Sequence, residues 1–102
     1  MEELKVRGLE NGRLYIELSG DIDLGNAEAF YQAVEQAYRE TPASITFDCE
    51  RLEFIDSTTL GTFVKILKTL KSDGKDMRLV KLQAKIKKLF LICSLDSIME
   101  IE

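Results

Sequence analysis

The chain has 102 residues, of which 45% are hydrophobic and 31% charged. This excludes a disordered chain, because disorder needs lower hydrophobicity, and a domain near the usual ~100–150 residues buries enough surface to fold without metal or disulfide staples. The formal charge of −4 also argues against sequence-independent nucleic-acid binding, which relies on many Lys and Arg contacts to phosphate. Leu4-Lys5-Val6-Arg7-Gly8-Leu9 alternates apolar and polar residues, as a half-buried strand does. Asn11-Gly12 is a strong hairpin signal, so Leu14-Tyr15-Ile16-Glu17-Leu18 reads as a second strand antiparallel to the first. Ser19 to Asp23 reads as a polar turn. Leu24, Ala27, Phe30, Tyr31, Val34, Ala37 and Tyr38 then recur at helical spacing, and that helix ends before Thr41-Pro42.

Ser44 to Asp48 reads as a short strand. Leu52-Glu53-Phe54-Ile55 leads into Asp56-Ser57-Thr58-Thr59, which opens a second helix with Leu60, Phe63, Val64, Leu67 and Leu70 on its apolar face. Gly74 suits a left-handed stop. Met77 to Val80 reads as a fourth strand. Gln83 to Cys93 reads as a third helix, with Ile86, Leu89, Phe90 and Cys93 on one face, and Ser97 to Ile101 as the last strand. The order is β-β-α-β-α-β-α-β. It predicts an α/β fold: a mixed sheet with an N-terminal antiparallel hairpin and helices packed on it.

Several chemistries are closed at this level. The chain has no histidine, which removes a His general base, His metal ligands and a His phospho-relay. Neither G-x-x-x-x-G-K-[ST] nor G-x-G-x-x-G occurs. Cys49 and Cys93 lie far apart in apolar surroundings and are expected as buried thiols in a reducing cytoplasm. An acidic start without an apolar leader, and apolar runs far below the ~20 residues of a spanning helix, point to a cytoplasmic protein with no direct membrane insertion. Asp21, Asp23, Asp48, Glu50 and Asp56 are the one foothold for a Mg²⁺ site, although carboxylates at strand ends are usually just solvated.

Asp56-Ser57-Thr58-Thr59 carries the most information. The plainer reading is helix capping by side-chain oxygens. The sharper reading is phosphorylation. A helix N-terminus tolerates an anion locally, and a phosphate on Ser57 adds roughly −1.5 to −2 charges beside Asp56. On a partner-binding surface, that charge disrupts docking. Residues 65–88 hold nine Lys or Arg against Asp73 and Asp76. They read either as solvated helix faces or as a basic surface for an acidic partner or a nucleotide.

Three stretches carry a family resemblance: Leu18-Ser19-Gly20-Asp21-Ile22-Asp23, Phe54-Ile55-Asp56-Ser57-Thr58-Thr59-Leu60-Gly61, and the closing Ile86-Lys87-Lys88-Leu89-Phe90 with Leu95-Asp96-Ser97-Ile98. In this order they span nearly the whole chain, which resembles a single STAS domain over residues 1–102 and, within that family, a bacterial anti-sigma-factor antagonist. The resemblance implies a cytoplasmic regulator without a cofactor and without enzymatic activity. Its partner would be an anti-sigma factor with serine kinase activity, which releases a sigma factor when bound. That partner would phosphorylate Ser57 and so end binding, and a phosphatase would reset the switch. By motif position, Asp21, Asp23, Asp56, Ser57, Thr58 and Thr59 form the partner-binding surface. Two departures from the family pattern stand out. Thr58-Thr59 replaces the usual small residues, which makes either threonine an alternative acceptor. The chain also stops at Glu102, where many relatives continue into a further helix, leaving one sheet face less covered or covered by a partner. The alternative role is an unswitched STAS-like subunit of a signalling or transport assembly, in which Ser57 only caps the helix.

Overall fold

Asn11 and Gly12 both take positive φ, 56° and 76°, and reverse the chain in a two-residue hairpin. A computed structural model describes all residues, Met1–Glu102. The hairpin joins β1 (Leu4–Glu10) to β2 (Arg13–Ile22), followed by α1 (Ala27–Glu40), β3 (Ile45–Ile55), α2 (Ser57–Ser72), β4 (Met77–Val80), α3 (Ala84–Ile92) and β5 (Glu100–Ile101). The strands lie side by side in the order of the chain. The β1–β2 pair is antiparallel and the other three pairs are parallel. The architecture is the mixed sheet with an N-terminal hairpin that the hydrophobic pattern predicts.

One aromatic cluster shows where the helices sit. Phe47 of β3 packs against Phe30 of α1 and Phe63 of α2, with ring centroids 6.0 and 5.4 Å away. Phe63 also meets Phe30 at 5.2 Å and Phe90 of α3 at 5.5 Å. All four rings are fully buried, so the three helices share one face of the sheet. All but the tilted Phe30–Phe47 pair are edge-on, and such pairs each add about 0.5–1.5 kcal/mol beyond their buried area. The other face is polar. There Tyr15 donates to Asp48 Oδ2 at 2.6 Å, Lys81 Nζ lies 3.6 Å from the same oxygen, and Arg13 donates to Thr46 at 2.8 Å and pairs with Asp76 at 2.8 Å.

Several boundaries differ from the sequence reading. Ser19 to Ile22 is strand and not turn, because the β2–β3 ladder runs on to Ile22 opposite Ile55. Two irregularities in that ladder, with Gly20 at φ 67°, admit the polar residues. β3 likewise continues through Ile55. Its alternation is hidden by Glu50, Arg51 and Glu53. α1 starts at Ala27, so Leu24 lies outside the helix and is exposed. The buried spine of α2 is Thr59, Phe63, Ile66, Leu67 and Leu70, with Leu60 and Val64 half-buried at its flank. In α3 only Ile86 and Phe90 are buried. Cys93 therefore ends the helix exposed, contrary to expectation, while Cys49 is buried in β3. Leu95–Ser97 forms a 3-10 turn, which shortens the last strand to two residues.

Candidate functional site

Strands β2 and β3 are parallel and end together, with Asp21 opposite Phe54 and Ile22 opposite Ile55. Each is followed by the start of a helix. The two connecting segments, 23–26 and Asp56, therefore meet at one rim of the sheet. Loops at the carboxyl ends of parallel strands are where open α/β sheets place their recognition sites.

Asp56 holds the rim together. It is the N-cap of α2, in extended backbone, and its Oδ1 accepts from the Thr59 amide at 3.0 Å. Its Oδ2 accepts from the Leu24 amide at 2.9 Å. One carboxylate thus satisfies a free donor of α2 and ties the β2–α1 loop to it. The Thr59 amide, and after it the Leu24 amide, hold the Asp56 carboxyl below the usual carboxylate range against the opposing effect of desolvation.

The loop from Asp21 to Ala27 is braced in the same way. The Asp23 amide donates to Asn26 Oδ1 at 2.8 Å, and the Gly25 amide donates to Asp23 Oδ1 at 2.9 Å. Asn26 Nδ2 donates to the Asp21 carbonyl at 2.9 Å. The Asn26 and Ala27 amides both donate to the Asp23 carbonyl. Asp23 and Asn26 thus shape the loop from inside, while the side chain of Asp21 is exposed.

The three hydroxyl residues separate sharply. Ser57 is the first residue of α2 and is exposed, as is Thr58. Capping falls to Asp56 and not to Ser57. Thr59 is completely buried, and its hydroxyl donates to the Ile22 carbonyl at 2.5 Å and lies 3.0 Å from Asp56 Oδ1. The expectation that Thr59 lies on the partner-binding surface, or stands in as acceptor, is therefore corrected. Its oxygen is spent joining α2 to the end of β2. The signal for this role was the Asp-x-x-Thr spacing, which puts Thr59 at the third helical position, under the cap.

The structure thus brings Asp21, Asp23, Asp56, Ser57 and Thr58 to one rim. It does not gather the carboxylates for a cation, since no three metal-ligating side chains come together anywhere in the molecule. The basic stretch is divided among elements. Lys65 sits 4.1 Å over the Tyr31 ring, Arg78 pairs with Glu100, and Lys81 pairs with Asp48. Leu24 and Asn26 are part of the rim that sequence reasoning did not single out as such.

Residues 4–102 match the model of the STAS domain, and the chain belongs to that family. It is 28% identical over 100 residues to the anti-sigma-B factor antagonist of Listeria monocytogenes, covering 98% of this chain and 86% of that one. The anti-sigma-B factor antagonist of Staphylococcus aureus is 24% identical over 86 residues, covering 84% and 80% of the two chains. A crystal structure of a provisionally assigned anti-sigma factor antagonist from Thermotoga maritima superposes with a TM-score of 0.84 at 25% identity, over 96% of this chain and 82% of that one. The phosphorylated form of the Bacillus cell fate determinant SpoIIAA shares the fold, with a TM-score of 0.74 at 20% identity over 97% and 90% of the two chains. No helix of this chain is long and apolar enough to cross a membrane.

Proposed function

We propose that the chain, acting as one STAS domain over residues 1–102, is an anti-sigma factor antagonist switched by phosphorylation of Ser57. It binds an anti-sigma factor that is also a serine kinase, through the rim formed by Asp21, Asp23, Asp56, Ser57 and Thr58, and so frees a sigma factor. In the switching step the γ-phosphoryl of ATP passes to Ser57 Oγ, the hydroxyl gives up its proton, and ADP leaves. ATP belongs to the kinase, and this chain supplies only the acceptor. A phosphatase restores the hydroxyl by hydrolysis.

The observation that carries this reading is the division of labour at the start of α2. Asp56 caps the helix and Thr59 is buried, so Ser57 is free of structural duty and open to a kinase. A phosphate there lies beside the Asp56 carboxylate, on a rim that also carries Asp21 and Asp23. Desolvation of that phosphate at a packed interface, and its repulsion by the adjacent Asp56 carboxylate, then favour release of the partner. The names of the relatives support the partner class. The test is to incubate the chain with the purified anti-sigma factor and ATP and to map the phosphate by mass spectrometry. One phosphate on Ser57, with Thr59 unmodified, is expected. A chain that stays unmodified, or is modified only at Thr58, overturns the assignment.

A further inference from the structure

Leu24 is the most exposed large apolar side chain of the molecule, with 75% of its surface open. A lone exposed leucine needs no explanation, since surfaces carry many apolar atoms. What sets Leu24 apart is that its backbone is fixed while its side chain stands largely in solvent. Six hydrogen bonds brace the loop that carries it, from Asp21 to Ala27. One of them runs from the Leu24 amide itself to Asp56, the residue before Ser57. An anchor held ready in this way loses little freedom on docking, which is what makes a few interface residues dominate affinity.

The surroundings define what fits over it. Asp21, Asp23 and Asp56 lie on the same rim and Glu28 follows in the first turn of α1, so the chain flanking Leu24 is acidic. Phe54, 48% exposed and opposite Asp21 in the ladder, lines a cleft of about 190 Å³ on the α3 side with Ile86, Leu89 and the cationic Lys85. We infer that Leu24 is the apolar anchor by which the anti-sigma factor grips this chain, seated in an apolar pocket of the partner rimmed by Lys or Arg. This rests on the function proposed above and identifies a contact that no phosphate chemistry requires.

The test measures binding of the purified anti-sigma factor from the same organism, without ATP, to four proteins: wild type, Leu24→Ala, Leu24→Met and Leu9→Ala. Leu9 is a control, an exposed leucine at 57% on the β1 edge beside the hairpin turn. Leu24→Ala is expected to weaken binding by about 10–100-fold, mostly through faster dissociation. Leu24→Met is expected to stay within about threefold of wild type, since the swap conserves apolar volume. Leu9→Ala should bind as wild type does. All four should melt together, because neither leucine supports the fold. Wild-type affinity in Leu24→Ala, or an equal loss in Leu9→Ala, overturns the anchor while leaving the proposed function standing. No binding by wild type overturns both.

Discussion

At the scale of single residues, Asp56 does the most. Its two oxygens serve two amides from segments 32 and 3 residues away, and the rim depends on both contacts. Its depressed pKa gives this a pH signature. A carboxyl held low in the folded state contributes stability that is present above the ordinary Asp value of 3.8 and lost as pH falls through the folded value. The amide resonances of Leu24 and Thr59 should therefore titrate together in a heteronuclear NMR series, with one midpoint below 3.8. A midpoint at or above that value would contradict the tether. Asp56 and Ser57 were legible in the sequence as a polar cluster opening a helix. The fate of Thr59 was not, because its partner is the Ile22 carbonyl, brought close only by the β2–β3 pairing.

At the scale of elements, legibility followed regularity. The hairpin announces itself through Asn11-Gly12, and α1 and α2 through long apolar stripes. The β2 and β3 extensions escape because irregular pairing breaks the alternation that marks a strand. α3 is short, so its four apolar positions could not be ranked from spacing alone. The fold seats Ile86 and Phe90 and leaves Leu89 and Cys93 outside. The two thiols separate the two kinds of element chemically. Burial, with Asp48 adding to it, pushes the Cys49 thiol far up, and Cys93 is open to solvent. Labelling of the native protein with a thiol-specific disulfide reagent should release one equivalent, from Cys93, and two after unfolding. In Cys93→Ser the native reaction should vanish. Two fast equivalents in the native wild type would mean that the β3 core is open.

At the scale of the whole molecule, placing three helices on one face has a functional consequence. Strands β2 and β3 end at a single rim, and the opposite face is left to polar pairs such as Tyr15–Asp48 and Arg13–Asp76. The rim combines a capped helix start, an exposed serine, acidic residues and an apolar side chain held out to solvent. The family motif around Ser57 implied the serine and its acids. The apolar side chain was hidden, because Leu24 fits the helical spacing of α1 and looks like core until the helix is seen to begin at Ala27.

The central claim is that charge at Ser57 ends partner binding while leaving the fold intact. Since Asp56 is the cap, replacing Ser57 by either Ala or Asp should leave the melting temperature within the small range of surface substitutions. The decisive measurement is the affinity of the purified anti-sigma factor for wild type, Ser57→Ala and Ser57→Asp at one ionic strength. The account predicts that Ser57→Ala binds as wild type does and that Ser57→Asp binds at least about tenfold more weakly, because a second carboxylate beside Asp56 is desolvated at the interface. Equal affinity of all three proteins would contradict it and make the chain a constitutive binding subunit.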